Sequence, residues 1–342
     1  MKNNIKILIF FLLVFSFTSK AQTSYKIENF SKLIHATVTI ADESLNEVFK
    51  QGTIQIFDSK TKKEIINIES PELTFDLNSK NNIKTNVKQL PYGEQSILIY
   101  EDFNFDDNPD LAVMFGQESC YHGPSYSVYL FDKGKFVYDD AFSALATENC
   151  GMFQVNAKLK QINTFTKSGC CWHQSTTYKV VNNSPIEIEI FEMDHTKFPY
   201  YTETTTTMIG KKTKVQSKFF IAEDVYDVKQ LLSFELEGNN KKVVLFEDGA
   251  QQLYYALLNK DKTVALNYPE IQSSEEAFFT IDKSKKTISF TNKDTIYTIY
   301  CTQNTVGIII NQNQKITNLK GKFTSLCGSL ASINIISYTN VK

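Results

Sequence analysis

Apolar and polar side chains alternate along most of the chain, which is the pattern of β-strands with one buried and one solvated face. Residues 52–58 (Gly-Thr-Ile-Gln-Ile-Phe-Asp) show this alternation. Residues 125–132 and 136–138 predict a hairpin, because the intervening Lys133-Gly134-Lys135 places a glycine in the turn. Further aromatic and β-branched runs occupy residues 176–181, 186–191, 242–246, 253–258, 263–266, 287–290, 295–302, 306–310 and 331–337.

The best helix candidates are two short segments, Asp42–Phe49 and Glu223–Leu232. The sequence therefore predicts an all-β protein of many short antiparallel strands. Strand–turn–strand units recur at irregular intervals, around Tyr126, Tyr178, Tyr254 and Tyr297. Because four-stranded propeller blades recur about every 40–50 residues, we expect a β-propeller-like fold. Two packed β-sandwich domains are the alternative.

Composition shifts divide the chain into a leader at residues 1–21, a β domain at 22–215 and a C-terminal β region at 216–342. The last region is either separate from the β domain or continuous with it. Polar stretches at 78–88 and 202–218 are candidate boundaries. The second stretch is rich in threonine, which favours strands, and it fits an exposed edge strand equally well.

Residues 1–21 are typical of a secretory signal peptide. Lys2 and Lys6 form a positive start, residues 7–17 are almost entirely apolar, and Ser19 and Ala21 are small residues at positions −3 and −1 of a cleavage site. The apolar run is too short for a hydrocarbon core about 30 Å thick. We therefore expect a periplasmic or secreted protein that is not inserted in the membrane.

Composition excludes several classes of protein. The chain of 342 residues is 42% hydrophobic, which excludes intrinsic disorder. Its 36 basic residues balance 38 acidic ones, for a formal charge of −2, and every basic residue is lysine. Nucleic-acid binding favours a basic face and bidentate arginines, so we expect no nucleic-acid partner.

Six cysteines in an exported chain suggest disulfides. Cys301 and Cys327 stand apart from the others and are expected to pair. The remaining four, Cys120, Cys150, Cys170 and Cys171, allow three pairings. A bond between the adjacent Cys170 and Cys171 closes a strained ring, so the sequence favours one of them pairing with Cys120 or Cys150.

One acidic segment carries the clearest chemistry, residues 102–110 (Asp-Phe-Asn-Phe-Asp-Asp-Asn-Pro-Asp). Oxygen-bearing side chains fall at its positions one, three, five and nine, and position seven can offer a backbone carbonyl. Ca²⁺ prefers six to eight hard oxygen ligands. The segment therefore predicts a calcium loop whose side-chain ligands are Asp102, Asn104, Asp106 and Asp110, with the carbonyl of Asn108.

The predicted loop differs from a helical EF-hand, because Asp107 and Val113 replace the glycine and glutamate of that motif. Residues 111–114 read as a strand, so the loop should join two strands. We expect Asp107 to adopt the positive φ that glycine usually supplies. The alternative is an ordinary solvated Asp/Asn turn.

Residues 92–98, the loop and strand at 102–114, and residues 126–130 resemble a family of exported bacterial proteins. Its type example is the periplasmic immunity protein of a bacteria-killing type IV secretion system. The resemblance covers about residues 52–191 and departs from the family at Asp107, where a glycine is usual. It implies a propeller-like fold, bound calcium and inhibition of a lysozyme-like peptidoglycan hydrolase.

Two other groups of residues give weaker evidence of a functional site. Cys120, His122, Cys170, Cys171 and His173 offer a zinc-site alternative to disulfides. For Trp172 the two interpretations are stacking on a sugar and packing beside a disulfide, and the sequence favours packing beside a disulfide.

Motifs of hydrolases and phosphate-binding loops are absent from the sequence. The carboxylate pairs Glu187/Glu189 and Glu275/Glu276 fit a solvated face as well as a catalytic site. We therefore expect a non-catalytic exported binding protein with a structural calcium loop, and the resemblance implies an inhibitor with a peptidoglycan hydrolase as its partner. A glycan-active hydrolase or a structural envelope protein are the alternatives.

Overall fold

The computed structural model describes residues 22–28, 30–86, 95–223, 228–270, 278–302, 304–322 and 338–342. The signal peptide predicted at 1–21, the strand predicted at 331–337, Cys327 and the Glu275/Glu276 pair lie outside the described residues. Within the described residues, no helix has the length and apolar character needed to cross a membrane.

The first sheet contains five strands in the order β4-β3-β2-β1-β5. Its neighbours are antiparallel except for β1 and β5, which are parallel. The strands are β1 Gln22–Ile27, β2 Ile34–Ala41, β3 Lys50–Asp58, β4 Glu64–Leu73 and β5 Asn82–Ile83.

The second sheet runs β6-β7-β8-β9. Its strands are β6 Leu98–Glu101, β7 Asp110–Ser119, β8 Gly123–Asp132 and β9 Lys135–Tyr138, followed by helix α1, Asp140–Thr147. The predicted hairpin is confirmed as β8 and β9. Lys133 and Gly134 both have positive φ, 48° and 83°, which matches the right-handed twist of the flanking strands.

Three further sheets follow in chain order, with six, four and five strands. The six-stranded sheet comprises β10 Gln154–Asn156, β11 Gln161–Ser168, β12 Trp172–Val181, β13 Ser184–Asp194, β14 Tyr200–Ile209 and β15 Lys212–Ile221. The four-stranded sheet comprises β16 Lys229–Glu235, β17 Lys242–Glu247, β18 Leu253–Leu258 and β19 Val264–Tyr268. The five-stranded sheet comprises β20 Phe279–Asp282, β21 Thr287–Asn292, β22 Thr295–Cys301, β23 Val306–Gln312 and β24 Lys315–Gly321.

The all-β prediction is confirmed. In four of the five sheets the strands follow one another in sequence order. This meander order is that of propeller blades, whereas immunoglobulin-type sandwiches use Greek-key crossovers. The strand order therefore favours the propeller-like interpretation over paired sandwiches.

Both helix predictions need correction. Only Asp42–Ser44 of the first segment is helical, as a short 3₁₀ turn. The described end of the second segment belongs to strand β16, because Leu231, Leu232 and Phe234 are buried in the sheet core. The sequence-based interpretation also missed α1, which begins where the Asp139 side chain accepts a hydrogen bond from the Phe142 N–H at 3.0 Å.

The chain forms two compact units. The first contains residues up to Thr164 together with Val180–Pro185, and the second contains Phe165–Lys179 together with the residues from Ile186 onward. Residue 215, where the sequence suggests a domain boundary, lies inside strand β15. The threonine-rich stretch is thus part of the β14–β15 hairpin. Of its two interpretations, the edge strand matches the structure.

Each unit has its own apolar core. In the first unit, Val38, Ile54 and Ile56 are fully buried in the first sheet. Helix α1 contributes Phe142, whose ring lies 6.0 Å from that of Phe153. In the second unit, one core cluster is built around Leu245, Tyr255, Phe279 and Ile299.

Candidate functional site

The acidic loop at residues 102–110 connects β6 to β7 and lies entirely in the first unit. Strand β7 is central in its sheet, and its first five residues, Asp110 to Met114, are buried. Phe103 is fully buried and lies 5.2 Å from the Phe153 ring in an edge-on contact. The loop is therefore anchored by Phe103 at one end and by Asp110 at the other.

Three of the predicted ligand residues are joined by hydrogen bonds within the loop. The Asp106 N–H donates to Asp102 Oδ1 at 3.1 Å and to Asn104 Oδ1 at 3.2 Å. Asn104 Nδ2 in turn donates to Asp106 Oδ2 at 3.1 Å. The structure thus brings Asp102, Asn104 and Asp106 together, as the alternation of the sequence predicts.

The backbone of the loop turns as expected for such a motif. Asp107 has φ of 69°, which confirms the positive φ predicted for this residue. Its N–H donates to Asp102 Oδ2 at 2.9 Å, and the Asn108 N–H donates to Asp106 Oδ1 at 2.8 Å. Phe105 also has a positive φ, 63°. Non-glycine residues rarely adopt this region of backbone conformation. Two of them within residues 105–107 therefore indicate a strained turn.

Asp110 occupies a different environment from the other predicted ligands. It is 0% exposed, and its oxygens accept hydrogen bonds from the N–H groups of Phe103 and Phe131, both at 2.8 Å. Burial raises the pKa of Asp110 to about 7, with a further contribution from the charges of Asp106 and Asp102, while the two N–H donors oppose the rise. Asp110 therefore ties the loop to strand β8 and adds a buried carboxylate behind it.

The described residues contain no group of three or more His, Cys, Asp or Glu side chains close enough to hold a metal ion. The gathered set instead combines two carboxylates with the amide of Asn104. Asp106 Oδ1 accepts two hydrogen bonds from Asn108, whereas Asp102 Oδ1, Asp102 Oδ2 and Asp106 Oδ2 accept one each. Because a carboxylate oxygen has two acceptor sites, three of these four oxygens keep one site for a cation. An all-oxygen set with one amide suits a hard cation such as Ca²⁺, so the residues fit that ion.

Two residues outside the motif also contact the loop, and the sequence-based interpretation missed both. Lys160, in the turn before β11, donates from Nζ to the Phe105 carbonyl at 3.4 Å. Asn183, in the turn between β12 and β13, accepts from Asn104 Nδ2 at 3.4 Å. Both turns lie far along the chain, so only the tertiary structure identifies these contacts.

The disulfides differ from the pairing that the sequence favours. Cys120 pairs with Cys150, with Cα atoms 4.8 Å apart, and Cys170 pairs with the adjacent Cys171. The physical reason is proximity, because the end of β7 lies beside the segment that follows α1. There the Gly151 N–H donates to Ser119 Oγ at 3.2 Å. Cys301 is also disulfide-bonded, and its expected partner Cys327 lies outside the described residues.

These bonds remove the thiolates that the zinc alternative requires, since all three cysteines of that set are oxidised. Trp172 begins strand β12 directly after the Cys170–Cys171 bond. Glu187 and Glu189 are two residues apart on β13, so both side chains lie on one face of that strand.

Comparisons with known proteins show likeness in structure only. No protein-family model matches the chain, and no curated protein matches it either. A Xanthomonas protein related to a type IV secretion system is similar over 58% of this chain and 94% of its own, with 22% identity and a TM-score of 0.47.

Two further structures are similar over 88% of this chain, each at 7% identity. They are a prolyl endopeptidase, with 42% of its chain covered and a TM-score of 0.26, and the WD40 domain of Toxoplasma gondii coronin, with 70% covered and a TM-score of 0.21. None of these similarities assigns a family to the chain.

Proposed function

We propose that this chain is an exported, non-catalytic binding protein in which Ca²⁺ stabilises the loop at residues 102–110. The observation that carries the calcium proposal is that Asp102 and Asn104 both accept from the Asp106 N–H, while the Asp106 carboxylate accepts from Asn104 Nδ2. Asp102, Asp106, Asp107 and Asp110 lie within nine residues, and among the described residues no lysine forms an ion pair with them. A bound cation would relieve the repulsion between these carboxylates.

The residues of the loop have two roles, binding the cation and fixing the loop to the sheet. Asp102, Asn104 and Asp106 would hold the cation, with Asp110 and the Asn108 carbonyl completing the set. Asp110 also keeps strands β7 and β8 in register through its bond to the Phe131 N–H. The ion would supply charge neutralisation and a fixed loop conformation, which suits recognition by loops on a rigid β scaffold.

A thermal melt in EDTA against millimolar Ca²⁺ tests the calcium loop. Binding to the folded state alone contributes about 2.7 kcal/mol at one hundred times Kd, so we expect Tm to rise by about 2–5 °C. Asp106→Ala should abolish this rise, because it removes a central ligand. Asp107→Gly should keep or enlarge it, because glycine adopts the positive φ without strain.

The matched control is Asp282→Ala, which removes an aspartate from a turn outside the loop. Asp282 accepts hydrogen bonds from Ser284 Oγ at 2.6 Å and from the Lys285 N–H at 3.0 Å, but no convergent oxygen set is described around it. This variant should retain the full calcium response. An equal Tm of the wild-type protein in the two buffers would reduce the loop to an ordinary acidic turn.

We further propose that the binding partner is a lysozyme-like peptidoglycan hydrolase that the chain inhibits. The support is the resemblance of residues 52–191 to the immunity-protein family. The formal charge of −2 and the acidic loop also suit a basic hydrolase.

A clearing assay on a peptidoglycan suspension, with a panel of lysozyme-type muramidases at moderate salt, tests the inhibitor role. At least one enzyme should lose its activity at near-equimolar protein, and its inhibition should persist as salt is raised within the physiological range. Full activity of every enzyme at about micromolar protein would overturn this role, since useful inhibition requires about −8 kcal/mol or better. That result would not bear on the calcium proposal, because the melt that tests calcium binding does not involve a partner.

A further inference from the structure

A polar cavity of about 380 Å³ lies in the second unit, at one end of the four-stranded sheet β16–β19. The β16–β17 turn and the β18–β19 turn lie at the same end of the sheet, since the strands follow one another antiparallel. The first turn is closed by the Leu236 N–H donating to the Lys241 carbonyl at 2.8 Å, and the second by the Asn259 N–H donating to the Thr263 carbonyl at 2.8 Å. Both turns are thus ordered, and they form two walls of the cavity.

Positive charge is concentrated in this cavity. Five lysines and two glutamates line it, for a formal charge of +3 in a chain whose formal charge is −2. The lysines are Lys241, Lys242, Lys260, Lys262 and Lys322.

Two acidic groups around the cavity, Glu235 and Asp261, are already engaged in ion pairs. Glu235 pairs with Lys322 at 2.8 Å, and this ion pair lowers the pKa of Glu235. Asp261 lies between Lys260 and Lys262 in sequence but pairs instead with Lys218, at 3.5 Å. It also accepts from Thr263 Oγ1 at 2.7 Å. Among the described residues, Lys241, Lys260 and Lys262 have no carboxylate partner, so their charge is available to a ligand.

The rest of the lining suits a ligand rich in hydroxyl groups. Carboxamide side chains of Gln230, Asn239, Asn240 and Asn259 line the same cavity, and amides both donate and accept hydrogen bonds. A second cavity of about 280 Å³ shares Glu223, Leu258 and Lys262 with the first.

The second cavity adds apolar surface beside the charged one. His195, Tyr201 and Phe220 line it. His195 directly follows β13, and Tyr201 and Phe220 lie on the paired strands β14 and β15. The Tyr201 ring centroid is 4.7 Å from that of His195 and 5.2 Å from that of Phe220. His195 Nδ1 is buried and has no hydrogen-bond partner. This cavity therefore also contains a ring nitrogen that can form a hydrogen bond with a ligand.

We propose that these two cavities form a binding site for an anionic saccharide, a sugar that carries a carboxylate or a phosphate. The lysines recognise the anion, the amides recognise the hydroxyl groups, and the aromatic side chains contact the apolar face of a sugar ring. A volume of this size matches small-ligand sites. The inference stands apart from the proposed function, because every lining residue belongs to the second unit and the acidic loop belongs to the first.

Isothermal titration at low salt tests the site with four probes: tetragalacturonate, glucose 6-phosphate, neutral maltotetraose and inorganic phosphate. One of the two anionic sugars should bind, and which one does distinguishes a carboxylate from a phosphate as the recognised group. Maltotetraose should bind far more weakly. Affinity for the anionic sugar should fall as salt is raised, because the contacts are charged.

The test variant is Lys241→Gln/Lys260→Gln, which removes one unpaired charge from each turn. It should weaken binding of the anionic sugar by about tenfold or more. The matched control, Lys212→Gln/Lys214→Gln, changes the net charge equally on the exposed strand β15 and should leave the affinity within about twofold.

Three outcomes would overturn the proposal. No binding of either anionic sugar rejects the site, and an equal loss in the two lysine variants reduces it to non-specific attraction. Inorganic phosphate binding as tightly as glucose 6-phosphate rejects the saccharide assignment, because the amides and the aromatic cavity would then contribute nothing. Circular dichroism of both variants confirms that the substitutions leave the fold unchanged.

Discussion

Asp110 is a carboxylate held away from water at the start of strand β7, and its role is structural as well as chemical. It is 0% exposed, and it accepts one N–H from its own loop and one from the neighbouring strand, at Phe103 and Phe131. Burial is the largest cause of its raised pKa. The two N–H groups offset part of the cost of burying the charge, and this explains why an ionisable residue is tolerated there.

Replacing Asp110 with alanine should therefore destabilise the protein even without calcium. Both N–H groups lose their acceptor, and each unsatisfied buried group costs about 1–3 kcal/mol, so we expect a loss on the order of 2–6 kcal/mol. Urea unfolding in EDTA measures it.

Asp106→Ala is the matched control for this prediction, because Asp106 is exposed and in the same loop. In EDTA its loss should stay within about 1 kcal/mol. Asp110→Asn, which keeps one acceptor oxygen, should fall between the two. Equal losses for Asp110→Ala and Asp106→Ala in EDTA would contradict the structural role assigned to Asp110.

At the scale of single elements, local sequence predicts strands well and short helices poorly. The run at residues 253–258 predicts a strand and forms β18 with the same limits, because its two tyrosines favour strands and its residues are largely buried. The segment Glu223–Leu232 has helix-favouring residues, yet its described end is a strand. Pairing of Gln230 with Phe246 and of Leu232 with Leu245 decides its structure, and no local signal contains that information.

Helix α1 shows the opposite error, since its signals are present in the sequence but are short. Asp139 caps its first turn, and Phe142, Leu145 and Ala146 form its buried face. Eight residues give barely two turns of periodicity, which alternating strands on either side obscure. Packing against strand β8 through the Ser143 hydroxyl, which accepts from the Val128 N–H at 2.8 Å, fixes the helix.

The acidic loop could be predicted in part for a clear physical reason. Ligand spacing and positive φ are local properties, so the convergence of Asp102, Asn104 and Asp106 and the conformation of Asp107 follow from the sequence. The contacts of Lys160 and Asn183 and the pairing of Cys120 with Cys150 depend on which turns meet in space. Spacing along the chain carries no information on that.

At the scale of the whole chain, the repeated use of sheets creates edges that must avoid pairing with other molecules. Among the described residues, β15 is the last strand of the six-stranded sheet and pairs with β14 alone. Its residues from Lys212 to Lys218 are exposed on both faces, and Val215 is 61% exposed. Lysines on an edge strand oppose such pairing, because stacking a second copy would bring like charges together and desolvate them.

Removing that protection should make the chain associate through β15. Lys212→Val/Lys214→Val extends the apolar surface around Val215 and raises the β propensity of the edge, so we expect a larger mass than that of the wild-type protein at the same concentration. Size-exclusion chromatography with light scattering measures the mass, and Lys212→Gln/Lys214→Gln, which loses the same charge but stays polar, separates charge from apolar surface. A partial increase in mass with glutamine and a larger one with valine is the expected order. If the valine variant keeps the wild-type mass across the concentration range, the lysines of β15 do not prevent association through this edge strand.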